Sequence, residues 1–384
     1  MKTRTSRFLA GAVVFLALVS IGILFVKMPK RPDESQSLVR ERLTISRDAT
    51  NGSQVKTDGE AANRSTSAKL VRARELIRKL RNAAMNITDV QALAIANAAD
   101  LEDLRSLGTE AVSACIEEIK DKTSPASLRI LLIEITATLS GHKDPQLGQA
   151  LMAIIADTTD SKSVRMQALQ WIPQTGDKFA GTTILQMLPN QSDPDLEFAI
   201  TRAMRGFKVP GSVDILKGEL ADENGYLIRI AALHAIAAQG GQEALAVLQN
   251  AVASKLAAGS DESHAEENTV AVHTVLALGE IPDASSVSVL SSILNNPANS
   301  VSVRNTAAIT IGSVDGTAAT HVLSDALQNE SNESILVYIA RGLALCGDAS
   351  EANACLAKAT TVSDSYTKSA LERAGHALQG RTKK

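Results

Sequence analysis

The stretch Ser300–Gly312 (SVSVRNTAAITIG), followed by Ala318–Leu327 (AATHVLSDAL), decides the fold. Val303, Ala307 and Ile311 recur at helical spacing, then a Gly/Asp turn intervenes, then Ala319, Leu323 and Leu327 repeat the pattern. Apolar residues at i, i+4 and i+8 share one face of a helix, so the stretch reads as two amphipathic helices and a tight turn.

The same pattern recurs along most of the chain. Aligned on Arg129, Arg165, Glu197, Arg229, Ala271, Arg304 and Leu336, the steps are 36, 32, 32, 42, 33 and 32 residues. Eight residues after each anchor stand Ala137, Pro173, Arg205, Ala237, Gly279, Gly312 and Ala344. Most are small, which reads as the place where the first helix ends and the chain turns. Second-helix pairs follow at Ile184/Leu188, Leu216/Leu220, Leu248/Val252, Leu290/Leu294 and Leu323/Leu327. A period near 32 with two helices per unit marks an α-solenoid, because one hairpin cannot bury its apolar faces without its neighbours.

Composition agrees. The 384 residues are 45% apolar but only 3% aromatic. Such a core must be built from Ala, Leu, Ile and Val, which suits closely packed helices rather than sheets. Residues 1–85 hold 17 Lys and Arg against 7 Asp and Glu, a net +10, so residues 86–384 carry −13. An acidic folded part argues against nucleic acid as a partner, since phosphates need clustered cations.

The N-terminus reads differently. Phe8–Val26 is nineteen residues without a charge, long enough as a helix to span roughly 28 Å of hydrocarbon. Lys27, Met28 and Pro29 follow, not a small-x-small exit, so residues 1–30 read as an uncleaved signal anchor rather than a cleaved signal peptide. The expected topology is single-pass, with the N-terminus cytoplasmic and the repeats on the periplasmic or extracellular side. Residues 31–68 are polar and poor in large apolar side chains, which predicts a disordered stalk. Residues 69–85 predict a helix with a stripe of Leu70, Ala73, Ile77, Leu80 and Ala84. Its cations leave two readings, a terminal cap of the stack or a basic helix on anionic lipid, with the cap favoured. Val90–Ala99 and Gly108–Asp121 predict a degenerate first pair joined by residues 100–107.

The segments Val164–Leu169 (VRMQAL), Ile228–Leu233 (IRIAAL) and Val303–Ala308 (VRNTAA) resemble the V-R-x-x-A-[AL] signature of the HEAT-repeat family, including its bacterial HEAT-like group. The resemblance covers about 108–380 within a repeat domain of 69–384. It implies an all-α, right-handed α-solenoid of helical hairpins. It also implies that Arg129, Arg165, Arg229 and Arg304 are structural, bonding neighbouring turns, with Asp160 and Asp193 near the starts of two repeats. HEAT-like metal hydroxylases hold iron with His-Glu pairs, and none of the six histidines here (142, 234, 264, 273, 321, 376) precedes a Glu. HEAT-like bilin lyases lack an easily read catalytic motif and stay open as an analogy.

The 42-residue step marks an insertion, 255–268, carrying Asp261, Glu262, His264, Glu266 and Glu267. It is either a partner-contacting or cation-binding loop or a solvated one. Phosphate-loop, dinucleotide and nucleophile-elbow patterns are missing from the sequence, so no catalytic residue, cofactor or metal is expected. Cys346 and Cys355 are read as core thiols or as a bond across one hairpin. Trp171, Phe179, Phe198, Tyr226 and Tyr338 are expected in the core, with any exposed one an interface anchor. The functional expectation is a membrane-anchored scaffold for a protein or peptide partner. A HEAT-like enzyme or lyase and a structural subunit of an envelope complex are the alternatives.

Overall fold

A computed structural model describes residues 54–141, 143–257, 265–281, 284–314 and 316–381. Glu60–Lys384 forms one compact unit. The expected span at 8–26 and most of the expected stalk lie outside the described residues. Among the described residues every regular element is helical, and no helix is long and apolar enough to cross a membrane.

Helix α1 (Gln54–Ala84) opens the described chain. It starts inside the stretch read as a disordered linker, so the linker reading is corrected for 54–68. Residues 54–68 contain no proline, and a helix nucleated on packed residues extends at little further cost. Its buried stripe is Ala73, Leu76, Ile77, Leu80 and Ala84, with Leu76 added to the expected set and Leu70 half-buried. Its cations meet acids of the next segments: Lys69–Glu110 at 2.9 Å, Arg74–Glu117 at 3.0 Å and Arg81–Asp121 at 2.9 Å. The helix therefore caps the stack.

Helices α2 (Val90–Ala96), α3 (Ala98–Ser106) and α4 (Val112–Lys120) follow. Residues 100–107, read as a connector, are mostly helix. Leu101 and Leu104 are buried at i, i+3 spacing, a period hidden among acids and short polar residues.

Seven hairpins come next. They are α5 (Ala126–Leu139) with α6 (Pro145–Ala156), α7 (Lys162–Trp171) with α8 (Ala180–Met187), and α9 (Pro194–Ala203) with α10 (Ser212–Gly218). Then α11 (Tyr226–Gln239) pairs with α12 (Gly241–Ala257), α13 (Ala265–Glu280) with α14 (Ala284–Asn295), and α15 (Val301–Ser313) with α16 (Thr317–Asn329). The last pair is α17 (Glu333–Cys346) with α18 (Ala349–Ala359), and α19 (Ser365–Gln379) closes the row. Helix starts are set by side chains that accept orphan backbone N–H groups, among them Asp144, Asp193, Ser300, Asn332 and Asp364.

The first helices, α5 through α19, pack each on the next, while the second helices touch more sparsely. The core is one continuous cluster of aliphatic side chains, with Phe207 its single buried aromatic among the described residues. Where the first helices cross, backbones meet. A Cβ at Gly312 would strike the backbone of Gly342, and one at Gly279 would strike Thr310. Two of the small residues eight positions after an anchor, Gly279 and Gly312, are therefore close-approach sites inside helices. Gly279 and Gly312 lie within α13 and α15, not in the turns beyond them, which corrects the sequence reading.

The anchor arginines close the joints between hairpins. The Arg129 Nε–H donates to the Ile119 carbonyl at 2.7 Å, Arg165 to Ile155 at 3.2 Å, and Arg304 to Leu294 at 2.7 Å. In each case the acceptor is ten residues earlier, in the last turn of the preceding second helix, where carbonyls lack intrahelical partners. The far end of each of two guanidiniums reaches an acid at the next hairpin: Arg129 grips Asp160 through two bonds of 2.6 and 2.7 Å, and Arg304 takes Glu330.

Candidate functional site

The exposed face of the first helices is built from a fixed register. The residues after the first six anchors are Ile130, Met166, Phe198, Ile230, Val272 and Asn305, every one of them half-buried, while Val337 after the seventh is buried. Five of these six are apolar, and they sit on helices that pack in sequence, so they form a ridge across the row. Leu227 and Leu276 widen it, at 40% and 36% exposure. Ile130, Met166, Ile230 and Val272 also pack against the core, so each offers only an edge, and Leu227 and Leu276 stand clearest of it.

A polar cluster interrupts the ridge. Arg205, in the short 3-10 turn after α9, donates to Glu280 Oε1 at 2.9 Å. His234 Nδ1 lies 2.9 Å from the same oxygen, and His234 Nε2 lies 3.2 Å from His273 Nδ1. The two rings meet edge-on, 5.5 Å between centroids at 85°. The long centroid separation beside a short N–N contact puts the two nitrogens nearly in line with the ring centres. That is the geometry of a hydrogen bond, not of two lone pairs converging on a metal. No group of three or more metal-ligating side chains occurs among the described residues.

The protons follow from the partners. Glu280 accepts from Arg205 and from the His234 Nδ1–H, so His234 Nε2 is the acceptor and His273 Nδ1–H the donor. Burial, then the neighbouring His234, pushes His273 down to about 4, against a smaller pull from Glu280. His273 is therefore neutral at physiological pH and ends the chain with an open Nε2 lone pair. Sequence reasoning found no His-Glu pair and did not bring these two histidines together. The signal was present in the register: His234 stands five residues after its anchor and His273 two after the next, so both project from one face of adjacent first helices.

Asp261, Glu262 and His264 lie outside the described residues. Glu266 is exposed in the first turn of α13. Glu267 belongs to a joint instead: its Oε1 accepts from Arg229 Nη1 at 2.8 Å, and Asp222 meets the same nitrogen at 3.3 Å. This corrects its reading as a loop residue offered to a partner. Phe179 is 83% exposed, so the expectation of a core aromatic fails there; Trp171, Tyr226 and Tyr338 are half-buried and pack against the edge of the core, and Phe198 is half-buried. With first helices in backbone contact, the interior has room for Ala and Leu but little for rings. The three cysteines are free thiols. Burial pushes Cys115 up to about 12 and Cys355 to about 11, which keeps both protonated and unreactive at neutral pH.

The fold and face together define an all-α row of stacked helical hairpins with an apolar ridge along its first helices. No protein-family model matches the chain, and no curated protein matches it. Among solved structures, the complex of CpcE and CpcF of phycocyanin lyase from Nostoc sp. PCC7120 is similar at 16% identity, over 70% of this chain and 94% of that one, with a TM-score of 0.39. Human deoxyhypusine hydroxylase in complex with glycerol is similar at 19% identity, over 70% and 96%, with a TM-score of 0.29. Likenesses this distant transfer no residue role.

Proposed function

We propose that the chain is a HEAT-like, membrane-anchored scaffold that binds a protein partner along the exposed face of its first helices. The observation that carries this reading is the ridge of Ile130, Met166, Phe198, Ile230 and Val272, continued by Leu227 and Leu276. An apolar strip rimmed by charge is the composition of a binding surface, with aliphatic and aromatic anchors inside and polar side chains outside. The Phe8–Val26 segment supports the anchor; its flanking cations balance, Lys2, Arg4 and Arg7 against Lys27, Lys30 and Arg31, so a short cytoplasmic tail with the repeats on the periplasmic or extracellular side is taken as the simpler topology.

The test is co-purification of the full chain after mild detergent extraction. Leu227→Glu and Leu276→Glu change accessible side chains and leave the core intact. Loss of a stoichiometric partner in both, with helical content unchanged, is the expected result; retention in both refutes the reading.

One observation favours a second reading, an enzyme or lyase on the same frame. The Glu280–His234–His273 chain ends on a neutral imidazole nitrogen that can accept a proton but, at about 4, is a weak base at neutral pH. Under the scaffold reading, His273→Gln leaves partner capture intact.

A further inference from the structure

The groove between α17 and α19 has its own chemistry. Its floor is Ala340, Ala344, Ala370 and Ala374, and its walls are Arg341, Arg373 and Tyr366, around about 370 Å³. Arg341 and Arg373 are both exposed, and neither has a carboxylate partner among the described residues. Arg129, Arg229 and Arg304, by contrast, all meet acids. The nearby Glu333 is engaged elsewhere, accepting the Ser363 and Asp364 backbone N–H groups at 2.6 and 3.1 Å.

The arginine is held in place before any ligand arrives. Arg341 lies 5.0 Å from the Tyr338 ring centre and donates to the Tyr366 hydroxyl oxygen at 2.8 Å. Because Tyr366 accepts there, its own O–H remains available to donate outward. Two guanidiniums and a hydroxyl thus aim donors at a shallow site floored by methyl groups. Fixing Arg341 by ring and hydroxyl lowers the entropy lost when it binds an anion. Tyr366 is 55% exposed and the neighbouring Leu345 47%, so apolar anchors stand beside the charges.

We infer that this groove docks a short acidic segment of a protein partner, seating a carboxylate between Arg341, Arg373 and the Tyr366 hydroxyl and small side chains on the alanine floor. Planar guanidiniums match carboxylates bidentately, which selects an acidic peptide. The surrounding negative charge disfavours an extended polyanion such as nucleic acid. The inference rests on the protein-binding reading and supplies its partner chemistry.

The test uses the full-length chain in mild detergent with three fluorescein-labelled peptides, AEADAE, AQANAQ and AKAKAK, read by fluorescence anisotropy. Saturable binding of AEADAE, at least about tenfold tighter than of AQANAQ and weakened by salt, is expected. Arg341→Gln with Arg373→Gln should lose at least about tenfold with unchanged circular dichroism, and Tyr366→Phe a few-fold. Equal binding of AQANAQ, or undiminished binding of AEADAE by the double variant, overturns the inference. The two proposals fail separately. If Leu227→Glu and Leu276→Glu release the partner while the arginine variants bind AEADAE normally, the groove falls and the scaffold stands. If AEADAE binds as expected but no partner is retained by any chain, the scaffold falls and the groove chemistry stands.

Discussion

Replacing Gly312 by alanine sets two effects of opposite sign against each other. Gly312 is the next-to-last residue of α15, and alanine there gains about 1 kcal/mol of helix propensity if nothing else changes. The added Cβ, however, would lie 2.7 Å from the Gly342 carbonyl carbon and 2.5 Å from its oxygen. Comfortable carbon–carbon contacts are roughly 3.5–4.0 Å, so α15 and α17 must part by about 1 Å. Overpacking costs about 1–3 kcal/mol, and backbone cannot rotate aside as a side chain does, which puts this site at the top of the range. The net expectation is destabilisation by about 2 kcal/mol. Gly218→Ala is the control: nothing lies within 4 Å of its Cβ, and it should stabilise by about 0.5–1 kcal/mol. Urea unfolding followed by far-UV circular dichroism reads both. Amide exchange should quicken in α15 and α17 and not in α5 to α7, since stacked repeats transmit strain mainly to neighbours. A Gly312→Ala chain as stable as the parent would refute the close approach and the packing derived from it.

Arg129→Ala leaves Asp160 charged at 3% side-chain exposure and strips the cap from Ile119, so a loss of about 3–5 kcal/mol is expected in the same urea assay. Lys162→Ala, which removes exposed pairs with Asp193 and Asp195, should cost under about 1 kcal/mol. Asp160 is raised by burial but held below its ordinary value by the Arg129 and Ser161 bonds that outweigh it; the stability it contributes is present above about pH 4 and lost on acidification below that. Glu219 runs the other way. Burial, then a hydrogen bond shared with Glu197, pushes it up to about 7, so the folded state keeps a proton that the unfolded chain releases near 4.5. Stability therefore falls as pH rises from about 4.5 to 7. Glu219→Gln should be near neutral at pH 5 and stabilising by about 1–2 kcal/mol at pH 8, a figure discounted for solvent access. Alkaline carbonate should leave the full chain in the membrane fraction and release one lacking residues 1–30; release of both would remove the anchor from the account.

Much of the architecture was legible because its signal is periodic. Arg129, Arg165 and Arg304 fall at one register, and their shared partner, the carbonyl ten residues back, is fixed by that register alone. Leu323 and Leu327 repeat the faces of Leu290 and Leu294, and all four are buried. What the sequence hid were contacts between repeats. Gly279 and Gly312 advertise smallness, but smallness alone does not distinguish a turn from two backbones in contact. Glu267 looked like part of an acidic loop because its partner, Arg229, is 38 residues away. The His234–His273 pair was missed for a similar reason. Neither histidine belongs to a local motif, and only superposing one repeat on the next puts both on one face. The residues at 100–107 were lost because Leu101 and Leu104 are too few to stand out among charges.

The central claim is that the exposed face of the first helices, and not that of the second, receives a protein. Site-specific photo-crosslinking in intact membranes tests it, with benzoylphenylalanine placed singly at Leu227 and Leu276 on the first helices and at the exposed Gln149 and Ser288 on the second. A discrete adduct of one mass from Leu227 and Leu276, missing from Gln149 and Ser288, is the predicted result. Equal capture from both sets, or capture from Gln149 and Ser288 alone, contradicts it.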